Sequence, residues 1–315
     1  MQGISTPRRT LASKSLALGS GKGGTGKSTT AVNIALYYAR KGIKTALFDL
    51  DPLSNIAVIL DLVVPESVLS VSKASEGRLE NYTCPVVPNL DLIFPGAKHA
   101  KGDSTRLLNL TFGSFIEELN RRYDFLIFDL PAGIGQEENL SFLPYIKTLL
   151  VVTNPEPTAH VSSGGYIKAA LEINPALCIY LWHNRYKVDP SLPFNTRDVA
   201  GNYNRFAPPE LRLTNEEKDK IKSLAFIPFD NTLNLLLTEV SPKEVILSKT
   251  GDIVRIIRDR VADIYPLGYK TDKIKERLIR GYIKTDFARK QSGDNFYPSL
   301  VEYLERIFRS SLEPA

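Results

Sequence analysis

The sequence predicts an α/β doubly wound fold, a mostly parallel sheet flanked by helices, followed by a helical C-terminal extension. Two patterns carry this. Short apolar runs without period-two alternation suit strands covered on both faces of a parallel sheet, and stretches of helical period separate them. A third observation agrees: nearly every run ends in a polar residue, and the ligand crevice of such a sheet lies beyond the carboxyl ends of its strands.

In chain order the runs are 15–20 (SLALGS), 44–50 (KTALFDL), 125–130 (FLIFDL), 148–153 (TLLVVT), 178–183 (CIYLWH) and 224–229 (LAFIPF). They exit into Ser20 with a glycine loop, Asp49 and Asp51, Asp129, Asn154, Asn184, and Pro228 with Asp230. After the first run, Val32, Leu36 and Ala39 share one helical stripe, and Gly42 behind Arg40 and Lys41 marks the helix stop. The alternation bounds a main domain at 15–265, with 1–14 as a flexible tail. Residues 266–315 form the extension, with charged helical segments at 271–283 and 298–312. Residues 65–110, with one strand-like piece LDLIFPG, and residues 185–220, with Pro190, Pro193, Pro208 and Pro209, read as long surface connections.

At 315 residues, 43% hydrophobic and 24% charged, the chain has ample material for a core, and collagen, coiled-coil rod and wholly disordered classes are excluded. A net charge of +5 is too mild to imply nucleic acid by itself. Cys84 and Cys178 stand far apart without a nearby histidine, too few ligands for a disulfide framework, a zinc site or an iron–sulfur cluster, so a reducing cytoplasm is the expected compartment. No apolar run approaches the roughly 18 residues of a membrane-spanning helix, because Pro144 and Lys147 break the longest candidate. Lys14 and the glycine loop likewise interrupt the core that a signal peptide opening on Arg8 and Arg9 would need. A soluble chain is expected. His99, His160 and His183 form no recognisable cluster in the sequence.

Residues 21–28, GKGGTGKS, have the spacing of a phosphate loop, after an apolar run and before a helical stretch. Gly21, Gly23, Gly24 and Gly26 let backbone N–H groups turn toward phosphate oxygens, aided by the positive end of the helix that follows. Lys27 would contact the β and γ phosphates, and Ser28 would ligate magnesium. Asp49 and Asp51, two apart on an extended backbone, project to the same side and can hold a metal's water shell or cap the next helix. Asp129 ends another run before a Pro-Ala-Gly turn. Asn184, at a run's end, is equally a base reader or a turn former.

SGKGGTGKSTT at 20–30 resembles the deviant phosphate loop of the ParA/MinD ATPase family. FDLDPLSN at 48–55 resembles its first switch, YDFLIFDLPAGIG at 123–135 its magnesium-linked aspartate and second switch, and LLVVTNPEPTAH at 149–160 its MinD-like branch. The resemblance implies a P-loop NTPase of the SIMIBI type that binds ATP and Mg2+ through the loop, Thr25 and Thr29 included, with Ser28, Asp49, Asp51 and Asp129 around the metal. It further implies that Lys22 reaches across a dimer to the partner's nucleotide, that Asp51 positions the hydrolytic water, and that Gly133 approaches the γ-phosphate. Asn184 would pair with adenine, and Pro228 and Asp230 would border the purine. Cluster-binding cysteines and a second phosphate loop are absent; DPLSN is similar to the ParA side, PAGI and TNPE to MinD and FlhG.

The implied protein is a slow ATPase switch that forms a homodimer on ATP, is stimulated by a protein activator or cargo adaptor, and positions a division site, a flagellum or a chromosome. Residues 249–290 hold 12 Lys or Arg against 6 Asp or Glu, either a patch for DNA or anionic membrane or a solvated face. The expected location is cytoplasmic, with the inner membrane or nucleoid as its surface. The C-terminal helix with Leu300, Leu304, Ile307 and Phe308 intersperses Glu302 and Glu305 with Arg306 and Arg309, which favours packing on the body over membrane docking. The rivals are a DNA-binding ParA-type partition ATPase, a tyrosine-kinase-like relative, disfavoured by dispersed tyrosines, and a non-hydrolysing nucleotide-binding adaptor.

Overall fold

A computed structural model describes residues 6–51, 55–60, 62–64, 78–93, 107, 109–133, 143–186 and 194–228. The helices expected beyond residue 265, the basic stretch 249–290 and Asp230 lie outside the described residues.

Eight strands form one sheet in the order β3-β4-β2-β5-β1-β6-β7-β8: β1 (Ser15–Gly19), β2 (Thr45–Asp49), β3 (Thr83–Val87), β4 (Leu90–Ile93), β5 (Phe125–Asp129), β6 (Thr148–Thr153), β7 (Cys178–Tyr186) and β8 (Ile221–Pro228). Every pairing is parallel except β3 with β4, a hairpin at one edge. The helices are α1 (Thr6–Ser13), α2 (Lys27–Arg40), α3 (Asn55–Ile59), α4 (Ile116–Arg122), α5 (Pro157–Ile173), α6 (Val199–Phe206) and α7 (Asn215–Asp219).

Alternate residues of the central strands feed two separate cores, as a sheet covered on both faces requires. Leu16, Leu18, Phe125 and Ile127 join α2 and α3 on one face, whereas Ala17, Leu126 and Phe128 join α1, α4 and α5 on the other. Phe48 and Phe128 stack across neighbouring strands at 4.5 Å in the second core. In α2 every residue from Ala31 to Ala39 is buried, so the stripe of Val32, Leu36 and Ala39 is only part of the covered surface.

Residues 6–13, read from the sequence within a flexible tail, form α1, with Leu11 fully buried and Asn120 Nδ2 donating to Pro7 O at 3.0 Å. The 185–220 connection, read as surface loop, holds α6 and α7. Its turn is fixed by Asn204, which donates from Nδ2 to Leu213 O and accepts from Leu213 N, both at 2.8 Å. A capping box at Thr214 and Glu217 starts α7, and Lys168 of α5 pairs with Glu217 at 2.9 Å. Gly164 lets α5 and α6 close together, since a Cβ there would collide with Tyr203.

The sheet order reverses direction at β1, which lies between β5 and β6. Loops leaving the carboxyl ends of β1, β2 and β5 therefore meet at a topological switch point, the place where open α/β sheets bind ligands.

Candidate functional site

The chain leaves β1 at Gly19, turns through residues 20–26 and enters α2 at Lys27. Gly24 and Gly26 have φ of 77° and 88°, a left-handed conformation cheap only for glycine. Gly26 has a second reason, because a Cβ would strike the amide nitrogen of Asn184. On the other flank Gly21 lies against the backbone of Ser162 and Ser163 in α5, and Gly23 and Gly24 face open space. Gly26 is also the N-cap of α2 and supplies no side-chain acceptor, so the first N–H groups of the helix are left for an anion.

Charge concentrates at the mouth of this loop. Lys27, although 5% exposed, places Nζ 2.7 Å from Oδ1 of the fully buried Asp129 and 4.0 Å from Oδ2 of Asp51, with Ser28 Oγ at 3.4 Å. Burial pushes the Asp129 carboxyl up, and the Lys27 ammonium opposes that shift. Asp49 pairs in register with Asp129, and burial, reinforced by the Asp129 charge, raises its carboxyl to about 7. Its oxygens accept from the backbone N–H of Asp51 and of Ile56, both at 3.3 Å, so the capping role open at Asp49 is seen at the start of α3.

Several buried polar atoms around the loop have no hydrogen-bond partner: Ser20 Oγ, Thr25 Oγ1, Asp129 Oδ2 and Asn154 Oδ1. The Asp129 carboxyl, close to the Ser28 hydroxyl and to the Asp51 charge, makes with them an all-oxygen donor set, which fits magnesium. Thr29 is half-buried in the first turn of α2, where its carbonyl accepts from Asn33 Nδ2 at 2.8 Å. Gly133, with φ of 85°, donates its N–H to Ser20 O at 2.8 Å, which ties the loop after β5 to the phosphate loop.

Lys22 is exposed and bonded within its own chain, with Nζ 3.0 Å from Glu156 Oε2 and 3.4 Å from Thr158 Oγ1 at the start of α5. Both side chains of the ion pair are about half exposed, so it adds at most about 1 kcal/mol. Glu156 and Thr158 lie within the run LLVVTNPEPTAH, but nothing local in the sequence signals their contact with Lys22. Asn184 donates from Nδ2 to the carbonyl of Thr25 at 2.7 Å, so its amide braces the phosphate loop. Arg185 beside it adopts a left-handed φ of 49° where the β7–β8 register shifts. Pro228, the last residue of β8, pairs with Tyr186.

The histidines do meet, which corrects the sequence reading for two of the three. His160 of α5 and His183 of β7 lie 6.3 Å apart between ring centroids, buried with Phe226 stacked on His183 at 4.5 Å. Asn202 of α6 contacts His160 Nδ1 at 3.0 Å, and Ser223 lies 3.3 Å from His183 Nε2. Burial lowers His160 to about 4 and His183 to about 3, so both are neutral near pH 7. Among the described residues no three His, Cys, Asp or Glu side chains are grouped so that they alone could hold a metal ion, and no helix is long and apolar enough to cross a membrane.

The chain is similar to the flagellum site-determining protein YlxH of Helicobacter pylori, 32% identical over 164 residues, which is 49% of this chain and 53% of that one. It is similar also to the septum site-determining protein MinD of Synechocystis, 31% identical over 152 residues, 44% of this chain and 53% of that one. The chain thus spans about half the length of these curated relatives. In fold it matches MinD from Pyrococcus horikoshii, solved with Mg-ADP, at a TM-score of 0.54 and 22% identity over 78% of this chain and 95% of that one. A ParA family ATPase from Chlorobium tepidum matches at 0.57 and 18% identity, over 81% and 100%. These likenesses agree with the eight-stranded, mostly parallel sheet and its flanking helices. The model of the CobQ/CobB/MinD/ParA nucleotide binding domain matches residues 16–310, and the chain belongs to that family.

Proposed function

We propose that this protein is an ATP-binding and ATP-hydrolysing switch that dimerises around its nucleotide and positions cellular cargo. The observation that carries the proposal is the convergence of Lys27, Ser28, Asp51 and Asp129 beside an uncapped helix N-terminus at the switch point of the sheet. That arrangement suits a nucleotide phosphate chain, which asks for backbone N–H donors, one buried ammonium and oxygen ligands for a cation.

In this reading the N–H groups of residues 21–29 hold the phosphates, and Lys27 exchanges Asp129 for their oxygens. Magnesium bound near Ser28, Asp129 and the waters fixed by Asp49 and Asp51 would neutralise phosphate charge. Asp51, about one-sixth exposed, accepts a proton from water or orients it in line with the γ-phosphorus. Asn184 holds the loop and, with Pro228 and Asp230, borders the base. Lys22 would let go of Glu156 and serve the partner's nucleotide in a homodimer, so dimerisation and a protein activator set the rate. The cargo in this reading is a division site, a flagellum or a chromosome, and relatives named for determining a flagellum site and a septum site support the first two. The chain would work in the cytoplasm and at the inner membrane or nucleoid.

Phosphate release is the test. Asp51→Ala should lower it by about a hundredfold or more while ATP still binds. Release unaffected by that change would overturn the assigned role. No release by the wild type with ATP and Mg2+, alone or with DNA or liposomes, would instead support the non-hydrolysing adaptor.

A further inference from the structure

The chain beyond α6 forms a hook that lies outside the loops of the switch point. Ala207 and Leu213 bury its two ends in the core, and the short turn Pro209–Leu211 between them is exposed throughout. The Tyr203 hydroxyl donates to Leu211 O at 2.9 Å and Arg212 Nε donates to Ala207 O at 3.1 Å, while Asn204 ties down Leu213 from both sides. Pro208 and Pro209 fix their own φ, so the hook is held in one shape.

That shape presents what a packed surface normally hides. Phe206 is 60% exposed and Leu211 is 47% exposed, and the bonds across the hook draw their two segments together. Each has an exposed arginine as its neighbour: Arg205 lies over the Phe206 ring at 5.5 Å, and Arg212 follows Leu211. Neither guanidinium has a carboxylate partner among the described residues. An aromatic ring, a branched aliphatic chain and arginine on a rigid frame are characteristic of the centre of a protein interface, and a frame already ordered loses little entropy on binding.

Charge then chooses the occupant. Two unpaired guanidiniums ask for carboxylates or phosphates, and the apolar side chains beside them ask for an apolar surface. Glu210, exposed in the turn between the arginines, opposes a polyanion such as DNA or an anionic bilayer. A peptide can set separate carboxylates on the arginines and keep an uncharged residue near Glu210.

We infer that the hook at residues 205–212 docks a partner protein through an acidic, apolar segment, with Phe206 and Leu211 meeting its apolar side chains and Arg205 and Arg212 its carboxylates. This docking surface stands apart from the phosphate loop and holds whether or not the chain hydrolyses ATP.

The experiment is selection of phage-displayed random peptides on the full chain, followed by titration of a selected peptide into the wild type, Phe206→Ala and Arg205→Glu. The selected peptides should combine Asp or Glu with Leu, Ile or Phe, and each variant should weaken binding by at least about tenfold. No enrichment, basic or uncharged peptides, or equal affinity in the variants overturns the inference. Mixed-sequence duplex DNA and phosphatidylglycerol vesicles are the competing occupants: binding of either that Arg205→Glu weakens as strongly as it weakens the peptide assigns the patch to a polyanion and overturns the inference. The last occupant is the chain itself. Phe206→Glu should melt at the wild-type temperature, because an exposed ring has no packing to lose, and a melting temperature clearly below the wild type's would mean that the chain covers its own patch, which overturns the inference too.

Discussion

Two buried polar regions, one at the centre of the sheet and one toward its β8 side, solve the cost of burial differently. At the carboxyl ends of β1, β2 and β5 the charge is kept, with Lys27 held on Asp129 and near Asp51. Between α5, α6 and the ends of β7 and β8 the charge is given up, with His160 and His183 held neutral against Asn202, Ser223 and Phe226. A kept charge can be exchanged for a ligand's charge, and a surrendered one can only support packing. The first region is therefore the one we propose as functional, and the second is a brace that packs α5 against α6 and β7.

The largest effect should come from breaking the kept charge. Lys27→Met leaves Asp129 buried and unpaired, which should cost about 3–5 kcal/mol in urea unfolding at neutral pH and should also abolish measurable ADP binding. Stability equal to the wild type's would mean that the pair carries nothing. In the brace, Tyr203→Ala removes the ring packed on Gly164 and the hydroxyl bonded to Leu211 O at 2.9 Å. It should cost about 3 kcal/mol, by analogy with other large-to-small changes. ADP affinity measured well below the melting temperature should stay within about twofold, because no ligand contact is lost. A loss of affinity as large as that of Lys27→Met would erase the distinction between the regions.

A smaller effect concerns pH. Both histidines sit below their ordinary value in the fold, so the unfolded chain binds more protons as the pH falls through about 6.5. Their contribution is full above that value and is lost on acidification. The unfolding free energy of the wild type relative to His183→Asn should therefore shrink between pH 7 and pH 5, by up to about 1.4 kcal/mol per pH unit. A difference that does not move with pH would contradict a neutral buried His183. The smallest effect belongs to the half-exposed ion pair: Glu156→Ala should change monomer stability by less than about 1 kcal/mol in a thermal scan.

What was legible in the sequence follows the same division. The central strands declare themselves because both faces are covered, so runs such as FLIFDL are apolar throughout. The phosphate loop is legible because its glycines and lysine are local in sequence. β3 was missed because it is an antiparallel edge strand with Pro85 exposed in its middle. The α6–α7 segment was hidden by its prolines, although the Thr214 to Glu217 spacing is a capping-box signal that could have revealed α7. The pairs His160 with His183 and Lys22 with Glu156 join residues far apart in the chain, and no local pattern encodes them.

The central claim is that Lys22 leaves Glu156 to complete a second molecule's nucleotide site. Sedimentation of the wild type and of Lys22→Ala, each saturated with Mg2+ and a non-cleavable ATP analogue, tests it directly. The account predicts a dimer for the wild type and a monomer for Lys22→Ala, and a wild type that stays monomeric, or a variant that dimerises equally well, would contradict it.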